Sequence, residues 1–319
     1  MLDNTPGPSA IPDAVPLVSV LMGVYNAAST LARTLDSILT QEGVTLEFIV
    51  VDDGSTDGSG EILDRAAARD PRLVVLHQAN AGLTISLQRA ADRARGKYLA
   101  RQDAGGDRSL PGRLAAQARC LEQRPDATFV TCGHRYLDEQ DVLICDEIRD
   151  EKNIEAGLST LRYPGIRGIM HASAMFRAAA FRSVGGYRSE FKVAQDIDLW
   201  LRLHELGTCA AVPEILYDYR FDLGGISRRN YAQQMAFAEL AVRCAISRRA
   251  GQAEPPLQPR DQIVGIRMKS EREQAAEYHY FVACCLRRRD PGRARKHYWR
   301  AWRAHPRYWK ALLGTVLAW

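Results

Sequence analysis

Long apolar runs are missing from this 319-residue sequence. A helix that spans a membrane needs about 18 or more consecutive apolar residues, and no such run occurs. The first 16 residues are polar and proline-rich, and they lack the basic segment that begins a secretory signal peptide. We therefore expect residues 1–16 to be a flexible lead-in, and we expect no membrane-spanning helix.

Paired cysteine motifs are missing. The seven cysteines are an odd number, and no two of them are spaced as C-x-x-C. This pattern argues against a disulfide framework and a cysteine-based zinc site, and it favours the reducing cytoplasm. Hydrophobic residues make up 46% of the chain and charged residues 25%. Such a composition excludes collagen-like, low-complexity and wholly disordered proteins.

The overall charge is small, but it is unevenly distributed. The formal net charge is +5, from 43 Lys/Arg and 38 Asp/Glu. Residues 243–319 carry 17 basic and 6 acidic residues, whereas the rest of the chain carries 26 basic and 32 acidic ones. An acidic body with a basic tail indicates that the tail meets an anion, which is a membrane surface, a nucleic acid or an acidic substrate.

Short apolar segments alternate with segments of helical periodicity. The apolar segments predict strands at 17–24, 46–51, 72–76 and 98–101, and further strands near 128–132, 142–147, 172–177 and 214–220. The periodic segments predict helices at 31–39, 58–69, 82–94, 112–123 and 194–203, and again beyond 228. This alternation is typical of βαβ units around a parallel sheet.

Polar side chains follow three of the predicted strands. Tyr25 and Asn26 end the first strand, Asp52 and Asp53 end the second, and Asp103 follows the fourth. Ligands of open α/β sheets bind beyond the carboxyl ends of the strands. We therefore expect these side chains to converge on one site.

Several segments, in chain order, resemble the family 2 glycosyltransferases. They are Val18–Asn26, Phe48–Asp57, Asn80–Leu83, Ala100–Asp103, Gly185–Tyr187 and Gln195–Trp200. The resemblance covers 17–230 and implies the GT-A fold, an α/β fold whose mostly parallel twisted sheet is flanked by helices. It also implies a nucleotide-sugar donor and inversion of the anomeric centre. Residues 231–319 are then a basic, aromatic-rich helical extension.

The donor-binding residues follow from this resemblance. Tyr25 offers a flat ring on which a base can stack. Asp52 and Asp53 offer acceptors for a pyrimidine N–H or a ribose hydroxyl. Asn26 lies beside this ring, and Gly186 permits close approach of the backbone to the sugar. Helix capping is the alternative role for the two acids, and it explains one of them more readily than both.

A metal site is implied at the end of the fourth strand, although the sequence departs from the family pattern there. Family members carry an Asp-x-Asp signature that binds Mg²⁺ or Mn²⁺, which neutralises charge on the leaving diphosphate. Here Asp103 is followed by Ala, Gly105, Gly106 and Asp107, so the middle acid is absent. We assign Asp103 to the donor and the metal, and Asp107 and Asp222 as further metal ligands. A glycine-rich turn with an incidental acid is the alternative for Asp107.

The general base is implied by a second acidic motif. Asp196 and Asp198 match the family's Glu/Gln-Asp-x-Asp element, in which the first Asp accepts the proton of the acceptor hydroxyl. Asp198 is interpreted as a supporting partner, and Arg202 lies at i+4, where it can pair with Asp198. Trp200 is expected in the core, and His171 is expected to have a structural role.

The basic residues of 287–319 are interleaved with tyrosine and tryptophan. One interpretation is peripheral contact with an anionic membrane, where basic and aromatic side chains meet the headgroups. The other is a pair of helices packed on the catalytic domain, with the aromatic side chains in its core. Nucleic-acid binding is not expected, because no nucleic-acid motif accompanies the charge.

Together these features predict an inverting, hexosyltransferase-type enzyme. It would move a sugar from a nucleotide-sugar donor, a UDP-sugar, to a hydroxyl of a glycan or lipid-linked acceptor. The expected setting is polysaccharide synthesis in the cytoplasm, at the inner face of the membrane. Two alternatives stay open: a degenerate protein that binds nucleotide sugars or membrane without catalysis, and a sugar nucleotidyltransferase. The second lacks support, since no basic glycine-rich loop follows the first strand.

Overall fold

The computed structural model describes residues 15–148, 150–161, 169–221, 231–258 and 270–317. The strands are β1 Val18–Val24, β2 Leu46–Asp52, β3 Leu73–His77, β4 Tyr98–Arg101, β5 Arg108–Ser109, β6 Ala127–Leu137, β7 Leu143–Glu147, β8 Met175–Arg177 and β9 Thr208–Arg220. The helices are α1 Ala28–Leu39, α2 Ser59–Ala67, α3 Leu83–Arg93, α4 Arg113–Gln123, α5 Glu151–Thr160, α6 Ala178–Ser183, α7 Gln195–His204, α8 Tyr231–Arg249, α9 Glu271–Leu286, α10 Pro291–Ala304 and α11 Trp309–Leu317.

The described strands form one nine-stranded sheet in the order β3-β2-β1-β4-β8-β6-β9-β5, and β7 pairs with the C-terminal part of β6. Strands β3, β2, β1 and β4 are parallel to one another, and β6 is parallel to β9. Strands β5, β7 and β8 pair in antiparallel fashion. The predicted α/β sheet flanked by helices is confirmed, with more antiparallel pairing than the βαβ pattern alone indicates.

Alternating side chains of each central strand enter two different cores. On β1, Val18, Val20 and Met22 belong to one core, and Leu21 belongs to the other. The first of these cores is completed by residues of α1, α2 and α4, and the second by residues of α3, α5, α6 and α7. Because both faces are covered, the strands read as continuous apolar runs.

Strand direction brings the chemically important ends to one edge of the sheet. Strand β6 is antiparallel to β8, and β8 is antiparallel to β4, so β6 and β9 run in the direction of β4. The carboxyl ends of β1, β2, β4, β6 and β9 therefore share an edge. This edge is where the polar residues after the strands meet.

Some elements were not predicted from the sequence. Strand β5 has two residues, too few for a detectable pattern, and α5 and α6 lie between predicted strands. Strand β9 begins at Thr208, before the predicted start at Glu214, because its first half pairs with β6. The strand predicted near 172 begins instead with a 3-10 turn, His171–Ser173, that leads into β8.

The C-terminal helices pack in two different ways. Helix α8 places Phe237, Leu240 and Cys244 in the core beneath α7. Helices α9, α10 and α11 build a third core, in which Ile144 of β7 meets Tyr278 and Tyr298. Within the described part of the chain, no helix combines the length and the apolar character needed to cross a bilayer.

The core position of Trp200 leads to a stability prediction. Its side chain is 1% exposed and stacks on Phe129, with 4.9 Å between the ring centroids. Trp200→Ala leaves a cavity that neighbours cannot fill, so we expect the free energy of unfolding to fall by about 3–5 kcal/mol. Urea denaturation measures it. The matched control Trp299→Ala, at a side chain that is 47% exposed, should cost less than about 1 kcal/mol. Equal losses would contradict the assignment.

Candidate active site

The loop after β1 presents an aromatic ring at the sheet edge. Tyr25 is 56% exposed, so its ring face is accessible to a planar ligand. Asn26 adopts a left-handed conformation with φ of 52°. Its side-chain oxygen accepts a hydrogen bond from the Thr56 backbone N–H at 2.8 Å, and its own N–H donates to the Ser55 hydroxyl at 3.0 Å. These bonds fasten the loop after β1 to the loop after β2.

The two acids that follow β2 are buried and shape the neighbouring loops. Asp53 accepts hydrogen bonds from the backbone N–H groups of Ala81 at 2.8 Å and Gly82 at 2.9 Å, just before α3. Asp52 accepts from the Ser55 N–H at 3.1 Å, and its other oxygen lies 3.1 Å from His77 Nδ1. Local hydrogen bonding thus engages both carboxylates, and contact of either one with a nucleotide stays a prediction.

A buried cation lies at the end of β4. Arg101 is fully buried, and its guanidinium donates to the carbonyl of Gln102 and pairs with the Asp103 carboxylate. The Asp103 side chain is 38% exposed, so it reaches the surface while it neutralises Arg101. A second buried arginine, Arg113, donates to the Arg101 carbonyl at 2.8 Å. The edge of the sheet therefore holds two arginines in fixed positions.

The loop after Asp103 is anchored from inside. Asp107 is buried, and its carboxylate accepts from the Tyr217 hydroxyl at 2.9 Å and from the Arg220 backbone N–H at 2.9 Å. Burial raises the pKa of Asp107 well above its usual range, and the charge of Asp103 adds to this. The role of Asp107 as a metal ligand stays a prediction. In the structure its carboxylate oxygens hold the end of β9 against the loop.

Asp196 lies at the first turn of α7, beside this loop. The preceding Ala194 has a left-handed φ of 55°, which turns the chain into the helix. Burial raises the pKa of Asp196, whereas hydrogen bonds from backbone N–H groups and the charge of Arg101 oppose the increase. The charge of Asp103 is also felt at this carboxyl. The two motifs that carry Asp103 and Asp196 thus meet in space around Arg101.

Asp198 faces the interior and forms the predicted pair. Its carboxylate contacts Arg202 of the same helix at 2.6 Å and Arg188 at 3.1 Å. Arg202 also donates to the Val184 carbonyl at 2.7 Å. These contacts hold the start of α7 against the segment that follows α6, and so they fix the position of the helix turn that bears Asp196.

The Gly186 segment is shaped by internal packing. Gly186 has a φ of +69°, and an added Cβ would come within 2.4 Å of the Gln88 side-chain oxygen. That oxygen accepts a hydrogen bond from the Tyr187 N–H at 2.7 Å. The Tyr187 hydroxyl in turn lies 2.7 Å from His171 Nε2. Glycine is therefore required at 186 by the protein itself, whatever approaches from outside.

Metal-binding capacity is limited in the described part of the chain. No three His, Cys, Asp or Glu side chains come together there as a ligand set. Asp103 presents a partly exposed carboxylate, whereas Asp107 is buried and hydrogen-bonded. Asp222 lies outside the described residues. A single carboxylate suits Mg²⁺ or Mn²⁺ only where phosphate oxygens and water complete the shell, which is how Mg²⁺ binds beside substrate phosphates.

The comparison with known proteins settles the family. The sequence profile described as Glycosyl transferase family 2 matches residues 19–185. A curated relative from Bacillus subtilis (strain 168), the putative glycosyltransferase EpsE, is 37% identical over 225 residues, which are 68% of this chain and 77% of that protein. The chain belongs to glycosyl transferase family 2.

Solved structures of glycosyltransferases share the fold of this family 2 enzyme. S. aureus TarS 1-349 in complex with UDP-GlcNAc has a TM-score of 0.56 at 15% identity and covers 94% of this chain and 88% of that chain. The mannosyltransferase PcManGT from Pyrobaculum calidifontis, in complex with GDP-Man and Mn²⁺, has a TM-score of 0.54 at 19% identity, with 99% and 84% coverage. The predicted GT-A fold is confirmed.

Sequence reasoning assigned no role to several residues of this glycosyltransferase that the structure places at the site. Arg101 and Tyr187 stand inside the recognised motifs, next to residues that were assigned roles. Tyr217, which anchors Asp107, carries no motif and enters the site only because β9 lies against the loop. Proximity within a motif could have indicated the first two, whereas nothing in the sequence indicated Tyr217.

The pKa values of two histidines of this glycosyltransferase should be shifted in opposite directions. Burial and the charge of Arg101 lower the pKa of His171 well below its usual value, whereas hydrogen bonds to Asp64 and Asp52 raise the pKa of His77. In NMR spectra recorded from about pH 8 to about pH 5, the His171 ring should stay neutral while His77 becomes protonated. His77 thus contributes stability that is lost as the pH rises through its folded pKa, and His171 costs stability as the pH falls below about 6.5. Titration of His171 near its ordinary value would contradict the expected lowering of its pKa.

Proposed function

We propose that the protein is an inverting glycosyltransferase that moves one sugar from a UDP-sugar to a hydroxyl of a glycan or lipid-linked acceptor. The observation that carries this proposal is the meeting of Asp196 and Asp103 around buried Arg101, at the edge where the β1 and β2 loops also end. The Asp196 carboxylate can take a proton there, while the part of the site around Asp103 holds the diphosphate. The proposed setting is polysaccharide synthesis in the cytoplasm.

Asp196 is the proposed general base. The acceptor hydroxyl gives its proton to the Asp196 carboxylate while its oxygen bonds to the anomeric carbon. The bond between that carbon and the diphosphate oxygen breaks from the opposite face, which inverts the centre. Burial raises the pKa of Asp196, and a more basic carboxylate is a better proton acceptor at neutral pH. The positive charge of Arg101 favours the ionised form that must begin the reaction.

The nucleotide is proposed to bind between the β1 and β2 loops. The exposed ring of Tyr25 supplies a stacking surface, and the loop shaped by Asn26, Asp52 and Asp53 supplies polar atoms beside it. Gly186 is proposed to lie along the sugar. TarS, which shares the fold, was solved with UDP-GlcNAc, and this supports a UDP-sugar as the donor.

Asp103 is the proposed protein ligand of a Mg²⁺ or Mn²⁺ ion. PcManGT, which shares the fold, was solved with Mn²⁺. When bound, such an ion supplies positive charge to the leaving diphosphate. Asp107 holds the loop that carries Asp103 through Tyr217 and Arg220. The missing middle acid also fits a degenerate protein that binds nucleotide sugars without turnover, so binding and turnover have to be measured separately.

Replacement of Asp196 tests the proposal directly. Asp196→Asn keeps the size of the side chain but removes its basicity, so kcat should fall about 100- to 10,000-fold. Release of UDP in the presence of acceptor measures turnover, and calorimetry with the UDP-sugar measures donor binding, which should be unchanged. The matched control is Asp36→Asn, at an exposed position of α1.

Full turnover in the Asp196 variant would refute its role as base. Donor binding without turnover in the unmodified protein would favour the degenerate alternative instead. Loss of donor binding in the variant would show that Asp196 holds the donor, which also contradicts the proposal.

Removal of divalent metal tests the role of Asp103. We expect a chelator to abolish UDP release and excess Mn²⁺ to restore it, since the Asp103 carboxylate is itself negative and the bound ion would supply the positive charge that the diphosphate needs. Asp103→Asn should raise the concentration of Mn²⁺ that gives half-maximal activity. Undiminished activity in chelator would show that the enzyme works without the ion.

A further inference from the structure

Helix α10 has two faces of different character. One face is buried in the third core through Ala294, His297, Tyr298 and Ala301. Helix α11 packs closely on this side. The lack of a side chain at Gly314 allows this approach, since an added Cβ would come within 2.6 Å of the Tyr298 ring. The arrangement of α9, α10 and α11 is therefore fixed by their own contacts.

The other face of α10 is a basic stripe. Its members recur at helical spacing and are Arg295, Lys296, Trp299, Arg300 and Arg303. They line a groove of about 830 Å³, together with His279 of α9 and Thr315 of α11. None of the described residues that line the groove is acidic. A concave surface with this charge is complementary to an anion.

Exposed apolar side chains occur in the groove and on α11, the helix that also contributes Thr315 to the groove. Trp299 is 47% exposed, and the guanidinium of Arg303 lies 4.6 Å from the centre of its ring. On α11, Trp309 is 60% exposed, and Leu312 and Leu313 are 44% and 49% exposed. Tryptophan beside arginine is typical of side chains at the boundary between lipid headgroups and acyl chains.

The positive charge of α10 also acts on a buried histidine of the same helix. Burial lowers the pKa of His297 to about 4, and the charges of Arg300 and Arg293 lower it further. Arg293 is paired with Asp138 at 2.6 Å, so it anchors α10 to the end of β6. The arginines of the stripe are the ones that face the groove.

We infer that this groove binds the phosphate groups of anionic phospholipids in a bilayer surface, with Trp299 and the exposed side chains of α11 placed among the headgroups. The basic stripe and the exposed apolar side chains together match the boundary between lipid headgroups and acyl chains. A free anion would contact only the basic side chains. The inference deepens the membrane contact that one interpretation of the sequence predicts for residues 287–319, and it locates this contact on one face of α10.

The position of the groove relates it to catalysis. The third core is attached at the carboxyl ends of β6 and β9, where the Tyr278 hydroxyl donates to the Phe221 carbonyl at 3.3 Å and Arg293 contacts Asp138. The loop that holds Asp103 and Asp107 lies at the same edge. The helices that form the groove are therefore attached to the sheet edge that bears the proposed active site.

Vesicle flotation of the full chain tests this inference. One set of vesicles is phosphatidylcholine alone, and the other contains about one-quarter phosphatidylglycerol. We expect binding only to the anionic vesicles and weaker binding at high salt. Lys296→Gln/Arg300→Gln/Arg303→Gln should weaken partitioning on the order of 100-fold, because each basic side chain near an anionic surface contributes about a factor of five. Vesicles with brominated acyl chains should quench tryptophan fluorescence, and Trp299→Ala should reduce that quenching.

A charge-matched variant is the control. Arg69→Gln/Arg93→Gln/Arg119→Gln removes three positive charges from exposed positions elsewhere, and it should bind the anionic vesicles as the unmodified protein does. Equal loss in both triple variants would overturn the inference, because net charge alone would explain binding. Displacement by inorganic phosphate beyond that caused by NaCl at equal ionic strength would identify a free-anion site, and preference for single-stranded RNA over anionic vesicles would identify a nucleic-acid surface. Either result also overturns it.

The test is independent of the chemical step. Donor binding and UDP release without vesicles should be the same in the stripe variant and the unmodified protein, since no residue of the stripe lies in the proposed active site. Failure of membrane binding with normal turnover would refute this inference alone, whereas loss of turnover in Asp196→Asn bears only on the proposed base.

Discussion

The guanidinium of Arg101 is the charge around which the active-site edge is arranged. A cation removed from water must be compensated by charge and hydrogen bonds, or the fold loses the free energy of its hydration. Asp103 and the Gln102 carbonyl provide this compensation. Burial together with this charge lowers the pKa of His171, and the same charge acts on Asp196. The end of β4, the turn before β8 and the first turn of α7 are therefore tied to one buried side chain.

The loop between Asp103 and Asp107 shows how the site accommodates the missing acid. Gly106 has a φ of +96°, and an added Cβ would lie 2.7 Å from the Arg220 side chain. A residue with a side chain would have to displace that arginine. The fixed Asp107 and the absent Cβ together let β9 close against the loop. The loop thus has a structural role in addition to carrying Asp103. Although it is rich in glycine, Asp107 anchors it to β9.

The C-terminal charge excess has more than one use. Part of it is structural, since Arg293 pairs with Asp138 and Arg289 lies 3.5 Å from Asp146, both near the ends of β6 and β7. The aromatic side chains also divide, with Tyr298 in the core and Trp299 at the surface. The helices pack on the catalytic domain, as one interpretation of the tail predicts, and one face of α10 remains basic and exposed. Contact of that face with a membrane stays a prediction.

The local pattern of the sequence determined the central strands and helices, because burial on both faces leaves apolar runs that need no tertiary information. It also determined the family, and it placed Asp103 and Asp196 in recognisable motifs. Only the tertiary structure decided that Asp107 is anchored by Tyr217, that Arg101 pairs with Asp103 and acts on Asp196, and that the tail divides into a buried and a basic face. These outcomes depend on contacts between residues about 100 positions apart, such as the Tyr217–Asp107 bond with its separation of 110, and local periodicity carries no record of such contacts.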